Sequence, residues 1–180
     1  MGVVGVGSSA ADRLVLRPPT GTDEVVLRRI HEQLRADGFT FLLADGDWPV
    51  LLAQVQREAD GVDLPPGRVR SDFLVAEVDG VLVGRVSVRH ELNAYLLAVG
   101  GHVGYAVAPE HRRRGYASRM LQLSVERLGD LGVARVLVTC DDDNEGSAAV
   151  IERCGGVLED VVSGDDGVVK RRYWIDASVR

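Results

Sequence analysis

A chain of 180 residues with 46% hydrophobic and 27% charged residues has the composition of one globular domain with a sizeable core. Its net charge of −6 argues against general nucleic-acid binding through a basic surface and mildly favours cationic ligands such as amines. No apolar run reaches the length of a membrane span, and the two cysteines, Cys140 and Cys154, fit neither a disulfide framework nor a metal-ligand spacing, so a reducing cytoplasm, no metal and a core role for both thiols are expected.

The first residues lack the charged start and long apolar stretch of a secretory signal, and Val6 stands where a myristoylation motif wants Ser or Thr. A flexible leader is expected over residues 1–12, followed by one domain over 13–176. Leu14-Val15-Leu16-Arg17 reads as a strand ended by Pro18-Pro19, and Thr22 then caps a helix whose first turn holds Asp23 and Glu24. Val26, Leu27, Ile30 and Leu34 form its apolar stripe, and Asp37-Gly38 ends it. A second helix, about Trp48 to Ala59, carries Leu51, Leu52 and Val55. The link from Phe39 to Leu43 is unusually apolar for a loop, so it either lines a ligand site or packs against a sheet.

After a Pro/Gly-rich loop from Gly61 to Arg70, strands are expected over Phe73–Val78 and Val81–Arg89, joined by Asp79-Gly80, a strong hairpin signal. The polar run His90-Glu91-Leu92-Asn93 follows, readable as ligand recognition and proton transfer or as a capped turn. His102 to Ala108 reads as a fourth strand that Pro109 stops, and Ala117, Met120, Leu121, Ser124, Leu128 and Leu131 mark one face of a helix closed by Gly132. Between them lies Arg112-Arg113-Arg114-Gly115-Tyr116-Ala117. Small residues before a helix N-terminus let an anion reach free N–H groups, and arginines add forked donors, so the stretch is a candidate phosphate cradle; a solvated helix start is the plainer alternative. No Gly-Lys-Ser/Thr loop or Gly-x-Gly-x-x-Gly turn offers a rival nucleotide motif. Ala134 to Cys140 makes a fifth strand, Asp141 to Asp143 lead to a helix opened by Asn144-x-x-Ser147, and Val157–Val162 with Val168–Ile175 form a last hairpin.

Val107-Ala108-Pro109-Glu110 followed by Arg112-x-x-Gly115-x-Ala117, with Asn144-x-x-Ser147 after the next strand, resembles the two signatures of the GCN5-related N-acetyltransferases. The likeness extends from about Leu14 to Ile175 and is specific between His102 and Gly156. It implies an α+β fold: a mixed, mostly antiparallel central sheet flanked by helices, with an acyl-CoA cleft between splayed strands 4 and 5. It also implies acetyl-CoA as co-substrate, an amine acceptor covered by the first two helices, and direct attack on the thioester. Cofactor contacts would come from Val107 and Ala108 along the pantetheine arm, from Arg112, Arg113, Arg114, Gly115, Tyr116, Ala117 and Ser118 around the pyrophosphate, and from Asn144 and Ser147. A homodimer is common among members.

The sequence departs from that pattern where many members carry a tyrosine acid, for Ile151 stands there, and Cys154-Gly155-Gly156 replaces the usual glycine and aromatic. An alkyl ammonium of pKa about 10.4 must lose a proton before attack, whereas a thiol of about 8.5 leaves with less help. Candidate catalytic residues are His102 as base, Glu91 as a second base, and Tyr105 as donor. Strict alternation puts His102 and Tyr105 on opposite faces, so both would need a β-bulge to serve one cleft. The alternatives are an acyl-CoA-binding sensor or interaction module with little transfer activity, and a binder of some other phosphate ligand.

Overall fold

The computed structural model describes residues 9–36, 39–42 and 45–178. The elements follow the expected order: β1 (Val15–Arg17), α1 (Glu24–Ala36), α2 (Trp48–Asp60), β2 (Ser71–Val78), β3 (Val81–Arg89), β4 (Val103–Val107), α3 (Tyr116–Asp130), β5 (Arg135–Asp141), α4 (Glu145–Arg153), β6 (Val157–Ser163) and β7 (Val169–Asp176). The strands form one sheet in the order β1-β2-β3-β4-β5-β7-β6. Every neighbouring pair is antiparallel except β4 and β5, which run parallel.

Alternation along the central strands builds two cores, one on each face of the sheet. Leu74, Ala76, Val86, Val103, Val136 and Val138 meet Met120, Leu121 and Leu128 of α3 and Ile151 of α4. Phe73, Val75 and Ala106 meet Leu27, Ile30 and Leu34 of α1 and Trp48, Leu51 and Val55 of α2. Burial on both faces is why β2 and β3 read as nearly continuous apolar runs. A bulge on β3 interrupts the parity: Ala76 pairs with Gly84 but Glu77 pairs with Leu82, which leaves Val83 extra. Val83 therefore joins Val86 on the α3 face while Leu82 turns to the α1 face. The hairpin between β2 and β3 is tight because Asp79 and Gly80 both adopt positive φ, of 50° and 80°, matching the twist of the strands.

One local expectation is corrected, and one open choice is decided. The cap before α1 is Thr20, not Thr22: residues 21–23 already form a 3₁₀ turn, and the Asp23 carboxylate accepts from the Thr20 N–H at 2.7 Å and its hydroxyl at 2.9 Å. A carboxylate three residues on reaches Thr20 and not Thr22, and Arg17 holds it there at 2.7 Å. Phe41 and Leu42 of the apolar link are fully buried against α1 and the sheet, which is the packing alternative of the two. Ser9 to Arg13 fold into a capped 3₁₀ turn whose Ala10 and Ala11 pack on the α3 core. Residues 1–8 of the leader, Asp37-Gly38 as the end of the first helix, and Leu43 lie outside the described residues.

Candidate active site

The segment between β4 and α3 forms a shallow cradle. Pro109 to His111 make a 3₁₀ turn, Arg112 is extended, and Arg113 takes a left-handed φ of 61°. Gly115 is the N-cap of α3 at φ 80°, where a side chain is strained and where glycine supplies no capping oxygen. The first-turn N–H groups, from Tyr116 to Ser118, therefore point out of the helix without an intrahelical acceptor. Arg112, Arg113 and Arg114 are exposed around them, whereas the Tyr116 ring is buried in the core and leaves only its backbone to the cradle. Glu110, beside the cradle, meets Arg29 of α1 at 3.4 Å.

The cradle opens onto a wedge between β4 and β5. The two strands are paired at Val103 and Val138, and among the described residues no further pair follows toward their C-terminal ends. The N–H of Ala108 is spent on the Val83 carbonyl at 2.9 Å, so alternation turns the main-chain groups of Val107 and Tyr105 toward β5. At the closed end, the His102 N–H donates to the Leu137 carbonyl at 2.7 Å while the Leu137 N–H donates to His102 Nδ1 at 2.9 Å. The ring thus takes the place of a ladder carbonyl and pins the base of the wedge. Gly101 makes this approach possible: it sits at φ 66°, and a Cβ there would lie 2.8 Å from the Leu137 oxygen.

With Nδ1 accepting, the neutral ring carries its proton on Nε2, and burial pushes the His102 pKa down to about 4. A free histidine titrates near about 6.5, so below that pH the unfolded chain binds a proton that the folded chain refuses. The stability held by the neutral ring is full above about pH 6.5 and is lost as pH falls toward about 4. In urea unfolding, the wild type should lose about 3 kcal/mol more between pH 7 and pH 4 than His102→Asn, whose amide oxygen can accept the same bond without titrating. Equal losses in the two proteins would remove this role.

On the α3 face of the wedge, Tyr105 of β4 and Ser147 of α4 place their hydroxyls 2.9 Å apart. Burial pushes the phenol up to about 12, against the opposing bond from Ser147. Asn144 caps α4 by accepting the Ser147 N–H at 2.9 Å, which orients that serine toward the wedge. Cys140 of β5 and Cys154 lie nearby as free thiols, and burial pushes both pKa values up. Ile151 is fully buried in the core under α4. β4 pairs with β3 in unbroken register, so no bulge brings His102 and Tyr105 to one face.

The polar run after β3 is a fastened turn. His90 Nε2 lies 2.8 Å from the buried carboxylate of Asp72, which also accepts from Arg127 of α3 at 2.7 Å. Asn93 caps the following turn by accepting the Leu96 N–H at 2.9 Å and donates to the Gly67 carbonyl at 2.8 Å. Glu91 is exposed in the same turn. The opposite face holds a feature that the linear reading passed over: Arg85, Ser87 and Arg89 recur at alternate positions of β3, and Arg85 is buried. Polar side chains on the inward face of a central strand were the available signal.

The profile of the Acetyltransferase (GNAT) domain matches residues 13–157. Among solved structures, Mycobacterium smegmatis RimJ in complex with CoA-disulfide superposes with a TM-score of 0.71 at 21% identity, covering 91% of this chain and 82% of that one. The microcin C7 self-immunity acetyltransferase MccE, in complex with acetyl-CoA and AMP, gives 0.65 at 19%, covering 93% and 94%. A chimera of the spermidine N-acetyltransferase SpeG from Vibrio cholerae and hSSAT gives 0.65 at 18%, covering 92% and 96%. At these identities the likeness to the three structures is one of fold.

Proposed function

The chain belongs to the GNAT acetyltransferase family, and from that premise we propose that it moves an acetyl group from acetyl-CoA to a primary amine of a small molecule or peptide. The observation that carries this reading is the wedge between β4 and β5, opening on the glycine-capped N-terminus of α3. A pyrophosphate fits such an end, because free N–H groups and the helix dipole both favour an anion. The main-chain groups of Val107, and those from Arg112 to Ser118, would hold the donor, with Ala108 closing the strand and Asn144 and Ser147 meeting the pantetheine arm. The complexes of similar structures with CoA-disulfide and acetyl-CoA support that choice of donor.

In the reaction, the amine nitrogen bonds to the thioester carbonyl carbon, the C–S bond breaks, and the CoA thiolate leaves and takes up a proton. A strand amide near Val107 would meet the tetrahedral oxyanion. We assign the proton donor to Tyr105, which is held protonated at neutral pH and faces the arm contact Ser147 at 2.9 Å. His102, with its acceptor nitrogen engaged by Leu137, is assigned to positioning β4 and not to proton removal. Water relieves the ammonium of its proton in this reading, and Glu91 takes no part. Two free thiols agree with a reducing, cytoplasmic setting. No helix among the described residues is long and apolar enough to cross a membrane.

Thiol release from acetyl-CoA, followed across a panel of amines, amino acids and peptide N-termini, tests the reading: turnover with one class is the expected result. Tight acetyl-CoA binding with release on none of them would favour a binding module instead. Tyr105→Phe should lower kcat about a hundredfold while leaving acetyl-CoA affinity within about threefold. An unchanged kcat would take the acid role from Tyr105.

A further inference from the structure

Acetyl transfer, as read above, gives Arg85 no task. Arg85 stands on β3 between Val75 of β2 and Ala106 of β4, on the face covered by α1, α2 and residues 39–42. Its Nε donates to the Phe41 carbonyl at 2.9 Å, Nη2 to the Thr40 carbonyl at 3.0 Å, and Nη1 to Ser87 Oγ at 2.9 Å. The rings of Phe39, Phe41 and Phe73 lie 5.3, 5.8 and 5.5 Å from its guanidinium carbon. A guanidinium has five N–H donors, so one on each terminal nitrogen has no acceptor among the described residues. Among the described residues its hydrogen-bond partners are all neutral, and the charged group that acts on it is Arg89, also positive.

A buried charge without a counter-ion is costly, and carbonyls and ring faces offset only part of that cost. Arg85 nevertheless stays protonated at neutral pH, since burial pushes it down only to about 10. The row continues along the same face with Ser87 and Arg89, the latter donating to the Gly100 and Gly101 carbonyls at 3.2 Å each. The cover is thin on one side: Phe39 is 37% exposed and Thr40 is exposed, so the group nearest Arg85 borders solvent. Ala106, its sheet neighbour, lies between Tyr105 and Val107, beside the proposed thioester path.

We propose that the acceptor is an amine bearing a carboxylate, and that Arg85, with Ser87 and Arg89 along the same strand, receives the carboxylate while the amine reaches the thioester. The proposal rests on the acetyl-transfer reading and names its substrate class. The carboxylate makes and breaks no bond; it supplies the missing counter-charge through the two free N–H groups, in the forked geometry that arginine offers and lysine does not. It can come from the end of a short amino-acid or peptide substrate, or from an acidic side chain next to the reacting amine.

Two substrate pairs separate these sources at nearly constant amine pKa: alanyl-alanine against its amide, and glutamyl-alanine amide against glutaminyl-alanine amide. In the wild type the acid of one pair should exceed its amide in kcat/KM by roughly ten- to a hundredfold. In Arg85→Gln that ratio should fall toward one whatever the absolute rates, and Arg85→Lys should keep part of it. Calorimetric titration of the CoA-loaded protein with the same four compounds reads the preference without turnover. Equal constants for acid and amide in both pairs, or a preference that survives in Arg85→Gln, would overturn the proposal. If Arg85→Gln does not fold, the wild-type ratios and Arg85→Lys decide it. Arg85-dependent binding of an acid without acetyl transfer to any amine would instead retain the carboxylate site and remove the transfer reading.

Discussion

Gly115→Trp is expected to weaken acetyl-CoA binding by about a hundredfold or more, because the cradle around α3 depends on backbone that a side chain would cover. Gly115 occupies φ 80°, where an L-residue is strained, and a Cβ built there already touches Ala11 at 3.6 Å. An indole continuing from that point fills the approach to the N–H groups of Tyr116 to Ser118. The strain of about 1–2 kcal/mol falls on a helix end and not on the core, so the fold should persist. Calorimetry with acetyl-CoA, paired with far-ultraviolet circular dichroism, separates the two effects. By contrast, Arg113→Ala should cost less than about tenfold, since removing one exposed side chain leaves the backbone donors in place. Native structure with unchanged affinity in Gly115→Trp would remove the cradle from the proposed cofactor site.

Gly84→Val should be the most destabilising single substitution in the sheet. A Cβ at Gly84 would lie 2.3 Å from the Ala106 carbonyl oxygen and 3.1 Å from the Val107 Cα, both of them backbone. No rotamer change relieves such a contact, so β3 and β4 must separate where they are paired, at Gly84 and Val107. Overpacking of this kind costs about 3 kcal/mol or more, against a usual total stability of about 5–15 kcal/mol. The urea midpoint measures it directly. A shift smaller than that of an exposed substitution such as Val157→Ala would show that the β3–β4 contact can relax.

Most of the architecture was legible because it rests on local signals. Asp79-Gly80 marks a hairpin since two left-handed residues suit the twist of the strands it joins, and the structure has both at positive φ. The stripe from Met120 to Leu128 marks a helix with one buried face, and those residues are in the α3 core. The cap of α1 was misplaced by two residues because Thr20 and Thr22 have the same capping chemistry. Distance to Asp23 and the pull of Arg17 decided between them.

The candidate site divides along the same line. Period, turn chemistry and small residues before a helix depend on neighbours a few positions away, so the sequence by itself determined the element order, the strand–cradle–helix unit and the two faces of the sheet. Contacts that depend on a partner far along the chain were decided by tertiary structure. A histidine at the start of a strand reads equally as base or packed ring, and it is the Leu137 N–H, 35 residues away, that engages His102 Nδ1. Arg85 reads as an ordinary strand residue until Phe39, Thr40 and Phe41, 44 and 45 residues away for its two carbonyl partners, close over it and leave its charge without a counter-ion among the described residues. The linear pattern places donors on a face, but only packing determines which of them keep water, which find a partner, and which are left charged and waiting for one.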